Sequence, residues 1–171
     1  MLTPARGLNL IVNAVKYCDE HMPGEVEFSV ASLLDREKTL KPLKESDSVA
    51  YLGSLEQVES LAQYCRSNCV LTLYDPKFEI NRFAVSNKWG DAVFMETPII
   101  VNRGVVTAAR LVKAGAAIEM DFREGSLEKL LIEMIKNPEI LKTAKFNVKK
   151  LSTQHSLYDE VIVRLFSKFM I

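Results

Sequence analysis

Five polar side chains crowd a short stretch between two apolar runs. Val70-Leu71-Thr72-Leu73-Tyr74 is stopped by Asp75-Pro76, and Pro98-Ile99-Ile100-Val101 is stopped by Asn102. The loop between them carries Glu79, Asn81, Arg82, Asn87 and Lys88, and a helical stretch from Lys88 to Met95 follows it. A lysine at a helix start offers a point charge to an anion, and the helix dipole adds to the attraction. Asp91, at i, i+3 from Lys88, shares its face and can accept hydrogen bonds from a diol. The bland alternative is a solvated Lys88–Asp91 ion pair worth a few tenths of a kcal/mol. Asn81 and Asn87 can bind a polar ligand, or simply shape turns through their own backbone. Glu79 is the best carboxylate for work on a substrate, although loop glutamates are commonly just solvated.

The elements that must position these groups follow from periodicity. Short apolar runs rich in strand formers are expected of parallel strands buried on both faces. Strand, loop, helix and strand then form one βαβ unit, with the loop beyond a strand's carboxyl end, where open α/β sheets bind ligands. Upstream, Thr3-Pro4 reads as the start of a helix whose apolar stripe is Leu8, Ile11, Val12, Val15 and Cys18. Val26 to Leu34 and Ser48 to Leu52 read as strands. The charged stretch Asp35 to Asp47 between them, with Pro42, reads as a connection with a short helix. Ser54 with Gln57 predicts a capping box for a helix burying Leu55, Val58, Leu61, Ala62 and Cys65. Val105 to Lys113 reads as helix and Ala116 to Met120 as strand. Three helices follow: one capped by Ser126, with Leu127, Leu130, Leu131, Met134 and Ile135 inward, then Pro138 to Lys150, then Ser156 to Phe169. Trp89 and Phe94 read as core. Strands alternating with helices at this spacing predict a single α/β domain with a Rossmann-like, doubly wound parallel sheet and C-terminal helices.

Composition narrows the function classes. The 171 residues suit one domain, and Lys plus Arg equals Asp plus Glu at 22 each, which gives no support for nucleic-acid binding. A small anion needs only local cations. Cys18, Cys65 and Cys69 have only His21 and His155 as potential co-ligands, so they read as reduced thiols of a cytosolic protein, with no metal site. No run approaches the ~20 apolar residues of a spanning helix, and no signal peptide is evident. Gly-x-Ser-x-Gly, Gly-x-Gly-x-x-Gly and Walker A patterns are absent, so hydrolase, dehydrogenase and P-loop readings lack their parts.

Several short motifs occur together in order: Leu73-Tyr74-Asp75-Pro76, Glu79-Ile80-Asn81-Arg82, Ser86-Asn87-Lys88, Asp91-Ala92, and Thr97-Pro98-Ile99-Ile100-Val101-Asn102. This run resembles the donor-binding segment of family-four-like glycosyltransferases of GT-B architecture. Arg6-Gly7-Leu8, Val49 to Gly53 and Asn137-Pro138-Glu139 resemble further parts of the same C-terminal half. Three positions depart from the pattern. Asp91 stands where Glu is usual, Phe83 where a paired Glu is expected, and Glu96 where Gly is expected before Thr97-Pro98.

The resemblance implies that residues 1–171 bind a nucleotide-diphosphate sugar as substrate, with no cofactor or metal. It implies donor contacts from Arg6, Asn81, Asn87, Lys88, Asp91 and Thr97, and a catalytic role for Glu79. The acceptor site would belong to an N-terminal domain or a partner chain, and the work would be glycan or polysaccharide assembly, in the cytoplasm or at the inner face of a membrane. The rival reading is a non-catalytic or partner-dependent binding subunit; a flavodoxin-like regulatory domain is a third. The doubly wound order 3-2-1-4-5-6 adds one expectation. Val26–Leu34 matches the second strand and Val70–Tyr74 the fourth, leaving only Met1 to Ala5 for a central first strand. The chain must then pair strands two and four directly, borrow a strand, or be a fragment of a longer protein.

Overall fold

The computed structural model describes residues 3–31 and 37–153. The segment predicted as the last helix, with His155, lies outside them, as does the end of the Val26–Leu34 strand. Thr3 does not open an α-helix. Pro4–Arg6 forms a single 3-10 turn, and Gly7, at φ 75°, redirects the chain into α1, Leu8–His21. A Cβ on Gly7 would lie 2.7 Å from Leu73 Cδ1, so both the turn and the close packing require glycine. Then come β1 (Phe28–Ala31), α2 (Glu37–Lys44, with Pro42 inside), β2 (Val49–Gly53), α3 (Gln57–Arg66) and β3 (Val70–Thr72). The expected polar loop holds one helical turn, α4 (Glu79–Arg82), before α5 (Asn87–Phe94), β4 (Ile99–Asn102), α6 (Ala109–Lys113), β5 (Ala117–Met120), α7 (Ser126–Lys136) and α8 (Glu139–Ser152).

All strand pairings are parallel, and two sheets form rather than one. Among the described residues β1 pairs only with β2, while β3–β4–β5 make a second ladder, and β1 and β3 do not pair with each other. The helix α1 joins the sheets instead. Leu8, Ile11, Val15 and Cys18 share one apolar cluster with Leu73, Ile100 and Met120, and Phe28, Val49 and Leu71 pack against it. A second cluster lies on the opposite face, where Val70, Tyr74, Ile99 and Val101 meet Trp89, Val93, Leu111 and Val148. Successive residues of β3 and β4 therefore alternate between the clusters, as the two-residue period of a strand requires. Helices on both faces make the doubly wound arrangement expected from sequence.

Local expectations fail where a polar residue chose the helix phase. The N-cap of α3 is Glu56, whose capping box closes with Glu59 rather than between Ser54 and Gln57. Val58 is consequently 79% exposed and Cys65 is exposed, while Leu61 and Tyr64 turn inward only in part. Likewise α7 starts from Gly125 at φ 75°, with Ser126 already helical and Ile135 exposed. Phe94 is exposed, but Trp89 is core as expected, its indole N–H donating to Thr72 Oγ1 at 2.7 Å. All three cysteines are free thiols. Burial raises Cys69 to about 11, and burial followed by Asp19 and Glu128 raises Cys18 to about 11, so neither is poised as a thiolate.

Candidate functional site

The β1–β2 pair and the β3–β4–β5 ladder both pack on the cluster built around α1. Beyond the carboxyl ends of β3 and β5 lies a cleft of about 570 Å³. One wall is the turn from Thr3 to the first residues of α1. The second is Asp75, Lys77 and Phe78 after β3, and the third is Phe122, Arg123 and Glu124 after β5.

The first wall supplies hydrogen-bond donors. The amide of Leu8 donates to Thr3 O and that of Ile11 to Gly7 O. Between them the amides of Asn9 and Leu10 have no acceptor among the described residues, and no side chain caps this end. Both residues line the cleft. Free amides at the positive end of a 14-residue helix form a ready anion cradle. Lys77 and Arg123 add positive charge at the rim. Arg123 is tied to Asp121 at 3.2 Å, and Asp121 also binds Arg103 at 2.9 Å. Asp75 orders the second wall, its Oδ1 accepting from the amide of Lys77 at 3.0 Å.

The residues singled out from sequence fall into three groups. Arg6 stands beside the cleft, its guanidinium 4.0 Å from the centre of the Tyr74 ring. Asn87 and Lys88 occupy the first turn of α5 and Glu79 opens α4; all three are exposed, on the carboxyl side of β3 but outside the cleft lining. Lys88 and Asp91 make no ion pair with each other. Asp91 is half-buried near Tyr64, whose phenol pKa is raised by burial first and by Asp91 second.

Asn81 and Thr97 are hydrogen-bonded within the protein itself. Asn81 is 6% exposed, and its amide donates to Asp75 O at 3.1 Å and Ala5 O at 3.3 Å, clasping the N-terminal turn to the end of β3. Thr97 lies before β4, at the opposite end of the sheet from the cleft, and its hydroxyl donates to Tyr64 O at 2.8 Å. Both hold elements in place. Glu96 also points away from the cleft. Its carboxylate lies 3.4 Å from Ser152 Oγ and 4.0 Å from Lys149 Nζ of α8. Its backbone, at φ 55°, explains why glycine suits this position: the turn from α5 to β4 is left-handed.

Sequence reasoning missed the free amides of α1, Lys77 and Arg123. Gly7 before an amphipathic helix was the visible signal for the first. The loop after the Ala116–Met120 strand was the signal for Arg123, since every carboxyl-end loop of such a sheet is eligible. Among the described residues no group of three or more His, Cys, Asp or Glu can hold a metal ion, and no helix is long and apolar enough to cross a membrane.

No protein-family model matches this chain, and no curated protein matches it by sequence. Solved structures do match. WaaG, a glycosyltransferase involved in lipopolysaccharide biosynthesis, superposes with a TM-score of 0.69 at 12% identity, over 90% of this chain and 41% of its own. The chain thus spans less than half the length of that neighbour. At this identity the likeness shows fold alone, and the fold is the Rossmann-like arrangement of GT-B glycosyltransferases.

Proposed function

We propose that this chain is the nucleotide-diphosphate-sugar-binding half of a glycosyltransferase acting in glycan or polysaccharide assembly. The observation that carries the reading is the cleft beyond the ends of β3 and β5, lined by Asn9 and Leu10, whose amides have no acceptor among the described residues. Its likeness in fold to a glycosyltransferase supports the same reading. The diphosphate meets those amides, with Arg6, Lys77 and Arg123 around it, and Lys88 and Asn87 extend the polar surface along α5. Such a positive field stabilises the leaving diphosphate as its bond to the sugar breaks and the acceptor oxygen bonds to the anomeric carbon. Glu79 is the carboxylate proposed to contact the transferred sugar or accept the acceptor proton. Asp91 is proposed to reach the ribose by turning away from Tyr64.

The acceptor site belongs, in this reading, to an N-terminal domain or partner chain, and the protein works in the cytoplasm or at the inner face of a membrane. A second reading, a partner-dependent binding subunit without catalysis of its own, is favoured by Asp91 standing beside Tyr64 rather than in the cleft lining.

Titration calorimetry with uridine, guanosine and thymidine diphosphates tests the site. At least one nucleotide should bind. Arg123→Ala or Lys77→Ala should weaken it by roughly 1.5–3 kcal/mol, the range of a hydrogen bond to a charged group. A folded chain that binds none of the three overturns the reading.

A further inference from the structure

Charge around the mouth of the cleft is balanced. Asp75, Lys77, Arg123 and Glu124 line it, and Arg6 stands beside it. Just behind the rim, the carboxyl ends of β4 and β5 carry Arg103, Glu119 and Asp121. Among these groups Arg6, Lys77, Arg103 and Arg123 are matched one for one by Asp75, Glu119, Asp121 and Glu124. Loss of any one cation therefore leaves the surroundings of the cleft negative. A charge outside the lining still counts, because fields at an exposed surface reach about 10 Å at 0.1 M salt.

The groups behind the rim form one chain of ion pairs. Arg103 Nε lies 3.1 Å from Glu119 Oε2, and its Nη1 lies 2.9 Å from Asp121 Oδ1. The other Asp121 oxygen, Oδ2, lies 3.2 Å from Arg123 Nη2. A single carboxylate thus gives one oxygen to each arginine. The backbone fixes both ends of the chain. The Arg103 amide donates to Met120 O at 2.8 Å, and its carbonyl accepts from Asn102 Nδ2 at 2.8 Å. At the other end the Arg123 amide donates to Asp121 O at 3.0 Å. Arg123 lines the cleft, whereas Arg103 lines no part of it.

We propose that Arg103 is a positioning residue that sets the affinity of the cleft for a diphosphate, acting through Asp121. This rests on the reading of the cleft as the diphosphate site. By engaging Oδ1, Arg103 neutralises a carboxylate that would otherwise turn wholly to Arg123 and oppose an incoming anion. Asp121 meets Arg123 at Nη2, which leaves the rest of the guanidinium fork to phosphate oxygens. Without Arg103, Glu119 and Asp121 both lose their shared cation, and the rim facing the anion becomes negative.

Titration calorimetry of the full chain with inorganic pyrophosphate at low ionic strength tests it. Arg103→Gln should weaken binding about fivefold, the upper end of what an exposed ion pair contributes. Arg103→Lys should recover most of that loss, since the charge returns although the fork does not. Adding Asp121→Asn to Arg103→Gln should bring affinity back to within about twofold of the parent, because the opposing carboxylate is gone. The gap between parent and Arg103→Gln should also close at about 0.5 M salt, where exposed charges are screened. A purely structural Arg103 would answer neither to salt nor to Asp121→Asn. Binding by Arg103→Gln equal to the parent overturns the proposal, and so does a loss that persists in the double variant or at high salt. A parent chain that binds neither pyrophosphate nor any of the three nucleotides overturns the cleft reading itself, and this inference with it.

Discussion

The β3–β5 sheet and the β1–β2 pair are made from the same kind of residue but live in different surroundings. Ile99, Ile100 and Val101 are at most 2% exposed, with a helix layer on either side. In β2 every residue of Val49–Gly53 is only half-buried, and Ser29 and Ala31 of β1 are exposed. An apolar segment such as Val49-Ala50-Tyr51-Leu52 reads as a buried strand, yet its burial depends on what covers it. Over β3–β5 both faces are covered, whereas the pair has α1 and α2 on one face and on the other no residue of α3 that is fully buried.

Paired truncations should expose this difference most strongly. Ile100→Ala should cost about 3 kcal/mol, the range for deleting a fully buried aliphatic chain. Val49→Ala should cost roughly 1 kcal/mol or less, because its side chain already meets solvent. Urea unfolding followed by circular dichroism measures both, and equal losses would erase the distinction.

Two glycines at matched φ sharpen it. Gly7 and Gly53 both sit in the left-handed region, at φ 75° and 67°, but only Gly7 is pressed against a side chain. Gly7→Ala should cost about 2 kcal/mol or more, combining backbone strain with displacement of Leu73. Gly53→Ala should cost only the conformational part, about 1 kcal/mol. The denaturation midpoints should differ in that order.

Glu96→Gly works in the opposite direction. Relieving a left-handed glutamate should stabilise the chain by about 1 kcal/mol. Nucleotide affinity should not change, because the carboxylate faces α8. A change in affinity would place Glu96 in the binding surface after all.

The smallest effect concerns the link between α1 and the start of β2. Asp19 Oδ1 accepts from the Ser48 amide and the Ser46 hydroxyl, each at 2.9 Å. Hydrogen bonds from Ser48, then Ser46, hold its pKa below the usual carboxylate value against some desolvation. The folded pKa is depressed, so this stabilisation is present above the unfolded value near 3.8 and is lost as pH falls through the lower folded value. Asp19→Asn should therefore lower stability slightly at neutral pH, where the ionised carboxylate contributes, and flatten the acid limb of the stability curve below about pH 4, where that contribution is lost in the parent as well.

What was legible in the sequence follows the same division. β4 and the alternation in β3 could be read because continuous aliphatic runs leave one option for burial. Trp89 could be assigned to the core because a large aromatic at helical spacing beside a strand has few other places. The face of α3 could not, since Glu56 with Glu59 competed with Ser54 and Gln57 for the cap and shifted the helix phase. The rim of the cleft was illegible for a different reason. Its strongest donors are backbone amides, which any residue provides, and only Gly7 marks where they are left free. For Asn81 and Thr97 the sequence shows a polar side chain without showing the backbone carbonyl it serves.

Asn102 has a consequence beyond its own burial. The regular β3–β4 pairing ends at Thr72 and Val101, yet the Asn102 side chain continues it. Its Oδ1 accepts from the Tyr74 amide at 2.8 Å and its Nδ2 donates to the Tyr74 carbonyl at 2.9 Å. A side-chain amide therefore stands in for a peptide unit, presenting both poles to one residue of the neighbouring strand. The substitution has a polarity that shape alone does not convey. Aspartate has the same outline, but when ionised it would set a second acceptor against the Tyr74 carbonyl. Leucine would fill the volume and leave both poles of Tyr74 unanswered. Where two strands part to open a mouth, the last rung can thus be read as chemical text: only a residue that both gives and takes a proton bond keeps the strands joined while letting their backbones diverge.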